Sequence, residues 1–280
     1  MAKRPNVLYH YTTQAGLLGI LDSDALWATK IHYLNDASEY QLALDLASAI
    51  LNQLLKGERS TRQRRKISSL LDNLRMIEHM NVCVCSFSEN RDQLSQWRAY
   101  AGGSSGYSIG FCTAHLTAKA ESQSFRLVKC IYREADQVHL VETLVRSSLA
   151  KEFNTTPAIT HPSDPRTIVV QPVGGDFAKN FAQLAPLIKS PAFHEEAEWR
   201  LVSTKGIDVR QMFFRPGNSM LVPYIPFDLE SDKSLYLNSL VVGPTPHAEL
   251  AHRSATSLLA RWGVAHPPKV QSSKAPYRAW

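Results

Sequence analysis

The sequence predicts an α+β fold in which short strands and helices follow one another irregularly. Residues 6–12, 81–88 and 107–112 are short apolar or alternating stretches, which are typical of strands. Residues 135–153 and 248–262 instead carry apolar side chains at helical period, as amphipathic helices do. Because the two kinds of segment do not alternate regularly, the chain is not expected to form a doubly wound parallel sheet.

Size and composition fit one domain with a substantial core. The chain has 280 residues, of which 44% are hydrophobic and 20% are charged, a balance typical of globular proteins. We predict a single domain over 1–280 with a basic helical insertion near 41–80 and a loop excursion near 154–175. The excursion has four prolines and little periodicity, which is typical of irregular structure.

The order of elements follows from caps and periodicity. Thr12 or Thr13 is placed to cap a helix after the first strand, and Asp36 is placed to cap the next helix. Further helices are expected at 65–79, 92–101 and 176–188. Further strands are expected at 26–29, 125–132, 197–202, 212–214, 220–224, 240–242 and 269–272.

The charge balance favours polyanionic partners. The formal net charge is +6 and the isoelectric point is near 9.1. Part of the excess lies in one run at 59–66, where Arg62, Arg64 and Arg65 stand close together. Such a run is most often a solvated helix face, but it can also contact the phosphates of RNA or DNA.

Several classes of protein are disfavoured. The four cysteines (Cys83, Cys85, Cys112 and Cys130) fit a reducing compartment as small buried hydrophobic residues. No paired Cys or His spacing indicates zinc, so we expect no metal. No apolar run approaches the roughly 20 residues that cross a bilayer, and the N-terminus lacks the apolar core of a signal peptide. We expect a cytoplasmic protein that does not act at a membrane.

The segment 193–202 organises the functional interpretation. Alternation places Trp199 on one face of a strand and both Glu198 and Arg200 on the other. If that second face meets solvent, the two charges form a surface ion pair that contributes little. If it lines a cleft, Glu198 is a positioned carboxylate that Arg200 keeps ionised and orients.

Short motifs spread over most of the chain resemble a known family. They are YHYT at 9–12, LNDASE at 34–39, CSFS at 85–88, WRAYA at 97–101, EAEWRLV at 196–202 and PYR at 276–278. Together they resemble a widespread family of uncharacterised bacterial and phage-associated domains that occurs near defence genes. That family does not itself imply a reaction.

A second resemblance does imply one. The pair His10 and Thr12 on the first strand, with Glu198 and Trp199 opening a late strand, is similar to the ADP-ribosyltransferase superfamily. It is closest to the His-Tyr-Glu branch and to the nucleic-acid-modifying toxins. The resemblance implies split mixed or antiparallel sheets with surrounding helices and helical insertions, and NAD as the substrate. By that resemblance His10 binds a ribose hydroxyl, Thr12 helps to place the dinucleotide, and Glu198 is catalytic.

The resemblance leaves the nicotinamide-stacking residue open among Tyr11, Trp27 and Tyr33. The remaining candidates for the NAD cleft are Asn35, Ser86, Trp97 and Tyr100. The candidates for contact with a nucleic-acid acceptor are Arg62, Arg64, Arg65 and Arg200. Each has a structural alternative, because His10 near a strand end or Trp97 at helical spacing is also typical of a core.

The function expected from these residues is NAD-dependent ADP-ribosyl transfer to RNA or DNA, of toxin or antiphage-defence type. An antitoxin or chaperone is a possible partner of such a protein. The alternatives are transfer to a protein acceptor, or a non-catalytic antitoxin-like or nucleic-acid-binding module on the same fold. A nuclease is a further alternative, although the sequence offers no clear cluster of acidic metal ligands for one.

Overall fold

The computed structural model describes residues 4–34, 37–77, 80–101, 106–150, 158–171, 176–217, 219–229, 237–262 and 268–276. Its helices are α1 (Gln14–Ser23), α2 (Ala37–Gly57), α3 (Thr61–Ile77), α4 (Leu94–Tyr100), α5 (Thr113–Ser122), α6 (Glu134–Leu149), α7 (Phe177–Leu184) and α8 (Ala248–Arg261). Its strands are β1 (Val7–Thr12), β2 (Ala25–Lys30), β3 (Cys83–Ser88), β4 (Tyr107–Cys112), β5 (Phe125–Lys129), β6 (Ile159–His161), β7 (Asp164–Val170), β8 (Glu198–Ser203), β9 (Phe213–Pro216), β10 (Leu221–Asp228), β11 (Leu237–Val242) and β12 (Lys269–Ser272). The predicted α+β class is confirmed.

The main sheet has ten strands and forks at β3. Strand β8 pairs along one edge of β3, from Val84 to Ser88. The opposite edge is shared, because β1 pairs with β3 at Ser88 whereas β2 pairs with it at Cys83 and Val84. Between those points residues 85–87 have no partner on that edge among the described strands, so β1 and β2 diverge there.

The two arms of the fork carry the rest of the sheet. One arm runs β1, β4, β11, β12 and the other runs β2, β10, β9, while β5 pairs with the far edge of β8. Strands β11 and β12 are parallel, and the other described pairs of this sheet are antiparallel. The sheet is therefore mixed, as predicted.

Helices cover both faces of the sheet around two apolar cores. Helices α2, α3, α6 and α7 pack on the face that carries Val84 and Val202, which we call the α2 face. Helices α1, α5 and α8 pack on the face that carries Cys85 and Leu201, which we call the α1 face. Opposed residues of an antiparallel pair point to the same face, so the register assigns every strand residue to one core or the other.

Two segments differ from the sequence-based expectation. The described part of the 154–175 excursion is a hairpin of β6 and β7, because the β-branched run at 167–170 forms a strand beyond Pro165. Helix α5 was not predicted, since it has little amphipathic periodicity and buries only Thr113, Leu116 and Ala120.

The local signals near the N-terminus agree with the structure. The hydroxyl of Thr13 accepts a hydrogen bond from the Gly16 N–H at 3.1 Å and caps α1. Helix α1 ends at Asp24, whose φ of 48° is left-handed. The predicted cap Asp36 lies outside the described residues. In the part of the chain that is described, none of the helices is both long and apolar enough to cross a bilayer.

Candidate functional site

A buried cluster of four charged side chains surrounds the first residue of β8. We call Lys189, Glu196, Glu198 and Arg200 the charged cluster. Arg200 donates to both oxygens of the Glu198 carboxylate, from Nε to Oε1 at 2.7 Å and from Nη2 to Oε2 at 3.0 Å. Lys189 Nζ donates to Oε2 of Glu198 at 2.6 Å and lies 2.7 Å from Oε2 of Glu196. Both oxygens of Glu198 thus have cationic partners.

The cluster keeps Glu198 ionised although it is buried. Glu198 is 5% exposed, and Lys189 and Arg200 are each 3% exposed. Burial by itself raises the pKa of the Glu198 carboxyl, but the charges and hydrogen bonds of Arg200 and Lys189 outweigh it and hold the pKa at about 2. The sequence-based interpretation of Glu198 as a carboxylate held ionised by Arg200 agrees with this geometry.

The backbone fixes the cluster from several sides. The Glu198 N–H donates to the hydroxyl of Tyr132 at 2.9 Å. The Lys189 carbonyl accepts from the Gln137 side chain at 2.7 Å, and the Lys189 N–H donates to the Ile131 carbonyl at 3.1 Å. Arg200 Nη1 donates to the Pro186 carbonyl at 2.6 Å. The backbone of Lys189 is therefore held in place, and any movement of this residue is confined to its side chain.

The residue immediately before β8 has a left-handed backbone conformation. Ala197 has φ 44° and ψ 49° and follows a short 3-10 segment, Pro191–Glu196. A non-glycine residue in this region costs about 1–2 kcal/mol, and such strain often occurs at functional sites. The preceding segment is mostly exposed, and Phe193 within it stacks against Lys189, whose Nζ lies 5.1 Å from the ring centroid. This segment is the outer wall of the charged cluster.

Tyr100 is a sequence-predicted cleft residue that lies close to the charged cluster. Its side chain is half-buried at the end of α4. Burial, together with the negative charges of Glu198 and Glu196, raises the pKa of Tyr100 to about 12. Tyr100 is thus a neutral hydroxyl at neutral pH next to the catalytic candidate.

His10 does not share a face with Glu198. Glu198 is opposed to Ser88 on the α2 face, whereas the His10 ring lies 5.8 Å from the ring of Phe87, which belongs to the α1 face. His10 Nδ1 donates to the Ser86 carbonyl at 2.9 Å and lies 3.8 Å from the sulfur of Cys85. Burial lowers the His10 pKa despite that hydrogen bond, so the ring is neutral. The structure thus places His10 at the fork, where it bridges β1 to β3.

Tyr11 and Trp97 are buried against each other. Their rings make an edge contact at 4.7 Å, and Trp97 is 0% exposed. Trp97 Nε1 donates to Asp92 at 2.7 Å, and the Tyr11 hydroxyl donates to the Asn90 carbonyl at 2.7 Å. These two side chains fasten the loop between β3 and α4, and the structure does not present Trp97 to a ligand.

The other cleft candidates are dispersed. Ser86 is half-buried on β3 directly opposite Arg200, so it shares the α2 face with the charged cluster, whereas Thr12 is half-buried at the end of β1. Tyr33 is 38% exposed in a 3-10 turn after β2. Trp27 is half-buried on β2, on the side where β2 diverges from β3. Asn35 lies outside the described residues.

The basic residues predicted to contact a nucleic acid also lie in different environments. Arg62 and Arg65 are exposed on α3, whereas Arg64 donates from Nη1 to the carbonyls of Leu55 and Glu58 and so caps the end of α2. Arg200 requires a correction, because burial inside the charged cluster removes it from any surface that a nucleic acid could meet. Its position is that of an orienting partner for Glu198.

Sequence reasoning missed part of the site. Glu196 lies outside the strand register of 197–202, which predicts a solvated side chain, yet its carboxylate is 12% exposed and pairs with Lys189. The sequence gives no local signal for Lys189, which reaches Glu198 from nine residues upstream through the fold. Within the described residues, no group of three or more His, Cys, Asp or Glu side chains converges in the manner of a metal site. The expectation that no metal is used stays a prediction.

Comparison with known proteins gives one match. No curated protein and no solved structure matches the chain, and no likeness to ADP-ribosyltransferases is shown. The match covers residues 96–201, which contain the whole charged cluster but not His10 or Trp27. Residues 96–201 match the model of the family described as "Protein of unknown function (DUF2971)".

Proposed function

We propose that the chain is an NAD-dependent ADP-ribosyltransferase of toxin or antiphage-defence type that transfers ADP-ribose to RNA or DNA. One observation carries the proposal. The Glu198 carboxylate is buried, is held ionised with a pKa of about 2, and stands at the start of β8 beside the fork of the sheet. A fixed negative charge in a buried position is what a reaction with a cationic transition state requires.

The chemistry follows from the bond that breaks. The bond between C1′ of the ribose and the nicotinamide nitrogen breaks, and the nitrogen keeps the electron pair, so nicotinamide leaves neutral. Positive charge develops on the ribose, as in an oxocarbenium-like glycoside transition state. Glu198 accepts a hydrogen bond from a ribose hydroxyl and stabilises that charge as it forms. A lone pair of the acceptor then bonds to C1′, and the acceptor loses its proton.

The substrate must compete with Lys189. Oε2 of Glu198 already accepts from Lys189 Nζ at 2.6 Å, so a ribose hydroxyl reaches it only if the ammonium turns away. The backbone of Lys189 is anchored, but its long side chain can follow Glu196 and Phe193 toward solvent. Arg200 meanwhile keeps its two bonds to Glu198 and orients the carboxylate.

His10 is proposed as a second contact to NAD because it lies at the fork. With Nδ1 bonded to the Ser86 carbonyl, the ring presents Nε2 as a neutral acceptor. In this proposal Nε2 accepts a ribose hydroxyl where β1 and β2 diverge, and Glu198 lies across β3. The dinucleotide would thus span the fork rather than lie on one face of the sheet.

The test is label transfer from NAD. The protein is incubated with NAD labelled in its adenylate phosphate and with RNA, single-stranded DNA or extract protein, and each fraction is counted. We expect label in a nucleic-acid fraction, its loss in Glu198→Gln, and its retention in Glu195→Gln, whose side chain is exposed in the same segment. Excess nicotinamide should suppress transfer in the wild type, because it drives the reaction backward.

Suppression of label transfer by nicotinamide is measured on the wild type alone, so it tests the reaction even if Glu198→Gln fails to fold. Absence of label in all wild-type fractions would overturn the proposal. Label that appears only in protein would move the acceptor from nucleic acid to protein. Transfer that is unchanged in a folded Glu198→Gln variant would exclude Glu198 from catalysis.

One observation favours a second function, a non-catalytic binding module on the same fold. Both Glu198 oxygens are occupied by Lys189 and Arg200, as in an ion cluster whose role is structural. This alternative predicts that NAD does not change the melting temperature of the wild-type protein. A rise in melting temperature that is lost in a folded Glu198→Gln variant would exclude it.

A further inference from the structure

A row of aromatic side chains crosses the arm of the sheet that ends in β9. The rings of Trp27 on β2 and Tyr224 on β10 have centroids 4.9 Å apart with planes inclined by 31°. The rings of Tyr224 and Phe213 on β9 follow at 5.9 Å and 35°. We call Trp27, Tyr224 and Phe213 the aromatic row. It is a series of mutually tilted rings that begins at the fork and ends at β9, the edge strand of the arm among the described strands.

The row is exposed at its outer end. Phe213 is 56% exposed, whereas Trp27 and Tyr224 are half-buried. The register places the row on the α2 face, because Tyr224 is opposed to both Thr29 and Phe213, and Thr29 is opposed to Val84. It therefore shares a face with Glu198.

An arginine without a carboxylate partner accompanies the row. The guanidinium of Arg215 lies 5.9 Å from the Trp27 ring centroid and donates to the Thr29 hydroxyl at 3.3 Å. Within the described part of the chain, Arg215 forms no ion pair, and its buried Nε has no hydrogen-bond partner. The neighbouring Arg210, by contrast, is paired with Asp208. Arg215 is thus an uncompensated positive charge beside a row of aromatic rings.

These features select one class of partner. Aromatic rings and an unpaired guanidinium complement a ligand that is both flat and negatively charged, which is the chemistry of unpaired bases with phosphates. A second copy of the chain fits poorly at this edge, because it would bring Arg215 against its own counterpart. The edge strand β9 also has four residues and ends in Pro216, which has no N–H for a new strand.

We propose that the aromatic row with Arg215 is a binding site for single-stranded nucleic acid. An unpaired base stacks on the exposed ring of Phe213 and continues the row, while a phosphate meets the Arg215 guanidinium. The strand then runs over the α2 face toward the fork. The role of this strand as acceptor of ADP-ribose rests on the proposed function, but its binding does not.

The chain offers a matched control for the stacking residue. Phe214 is the next residue on β9, is 55% exposed, and points to the opposite face of the sheet. The experiment measures fluorescence anisotropy of a labelled 15-nucleotide single-stranded RNA of mixed sequence, its DNA equivalent and the matching duplexes, at two salt concentrations and without NAD. The proteins are the wild type, Phe213→Ala, Phe214→Ala, Arg215→Gln and Arg210→Gln.

We expect the wild type to bind a single strand more tightly than the duplex. Phe213→Ala should weaken binding by about 5-fold or more, since stacking of one base on an aromatic ring is worth that much or more, and Phe214→Ala should change it by less than 2-fold. Arg215→Gln should weaken binding and reduce its salt dependence, whereas Arg210→Gln should change both less.

Four results would overturn the site. They are no single-strand binding by the wild type, equal binding of duplex, equal effects of the two phenylalanine variants, and sedimentation showing that Phe213 holds two copies of the chain together. Binding that persists while label transfer from NAD is absent would reject the proposed reaction but keep this site. Transfer to nucleic acid that is unchanged in Phe213→Ala would show that the strand bound at this site is not the acceptor, but would keep the reaction.

Discussion

The charged cluster and the aromatic row lie on the same face of one sheet and treat charge in opposite ways. In the charged cluster two carboxylates meet Lys189 and Arg200, and all four side chains are buried or nearly so. In the aromatic row Arg215 lies against the ring of Trp27 and forms no ion pair with the described residues. The charges of the first region are paired within the protein. The positive charge of Arg215 in the second region is paired only when a ligand supplies a negative charge.

The charged cluster should therefore contribute to stability, and the aromatic row should contribute to binding. Removal of one partner from a buried ion cluster leaves an uncompensated charge in a medium of low dielectric constant, which is costly. Removal of an exposed ring from the row costs little folding free energy, because water already meets it. Substitutions in the two regions should therefore separate in denaturation experiments.

The largest effect is expected for Glu198→Gln. The change leaves Lys189 and Arg200 buried with one carboxylate fewer, and we expect a loss of about 3–5 kcal/mol in the free energy of unfolding. Urea denaturation at neutral pH measures it. The control Glu195→Gln lies in the exposed 3-10 segment and should change stability by less than about 0.5 kcal/mol. Equal effects of the two substitutions would show that the cluster does not exist in solution.

The same carboxylate should make stability depend on pH. Folding lowers the pKa of Glu198 from 4.5 to about 2, so its stabilising contribution is complete above pH 4.5. The contribution shrinks as the pH falls below that value and is lost as the pH passes about 2. The shift corresponds to about 3 kcal/mol at neutral pH. The gap in unfolding free energy between wild type and Glu198→Gln should narrow from pH 6 to pH 3, and a constant gap would contradict the assignment.

Lys189→Met should cost less than Glu198→Gln. Glu198 keeps both bonds to Arg200, and Glu196 can turn toward solvent, so we expect a loss of about 1–3 kcal/mol. Because Lys189 is one cause of the low pKa of Glu198, the acid transition should also move to higher pH. Lys189→Arg, which keeps the charge, should restore part of both quantities. A stability gain in Lys189→Met would instead show that the ammonium strains the folded state.

The smallest effects on stability are expected in the aromatic row. Phe213→Ala removes a ring that is 56% exposed, and Arg215→Gln removes a charge that has no carboxylate partner in the described structure. Each should change the unfolding free energy by no more than about 0.5 kcal/mol. A thermal melt of both variants checks this. A loss comparable to that of Glu198→Gln would mean that the row supports the fold and is not held ready for a ligand.

Local sequence patterns were sufficient to predict several short-range features of this protein. Alternation on β8 correctly separated Glu198 and Arg200 from Trp199, because side chains two apart on a strand point the same way. The cap at Thr13 and the bounds of β12 also followed from local chemistry. The hairpin of β6 and β7 and helix α5 were missed, because prolines and small residues obscured their periodicity.

Which of these side chains become neighbours follows from the tertiary structure alone. The fork at β3 sets His10 and Glu198 on different faces, and it exists because two strands share one edge of a third. Lys189 reaches Glu198 from nine residues upstream, and Trp27 joins Tyr224 and Phe213 in one row from the other end of the chain. Periodicity assigns a residue to a face of its own element. Strand pairing between remote segments decides which faces come together, and no local pattern encodes that register.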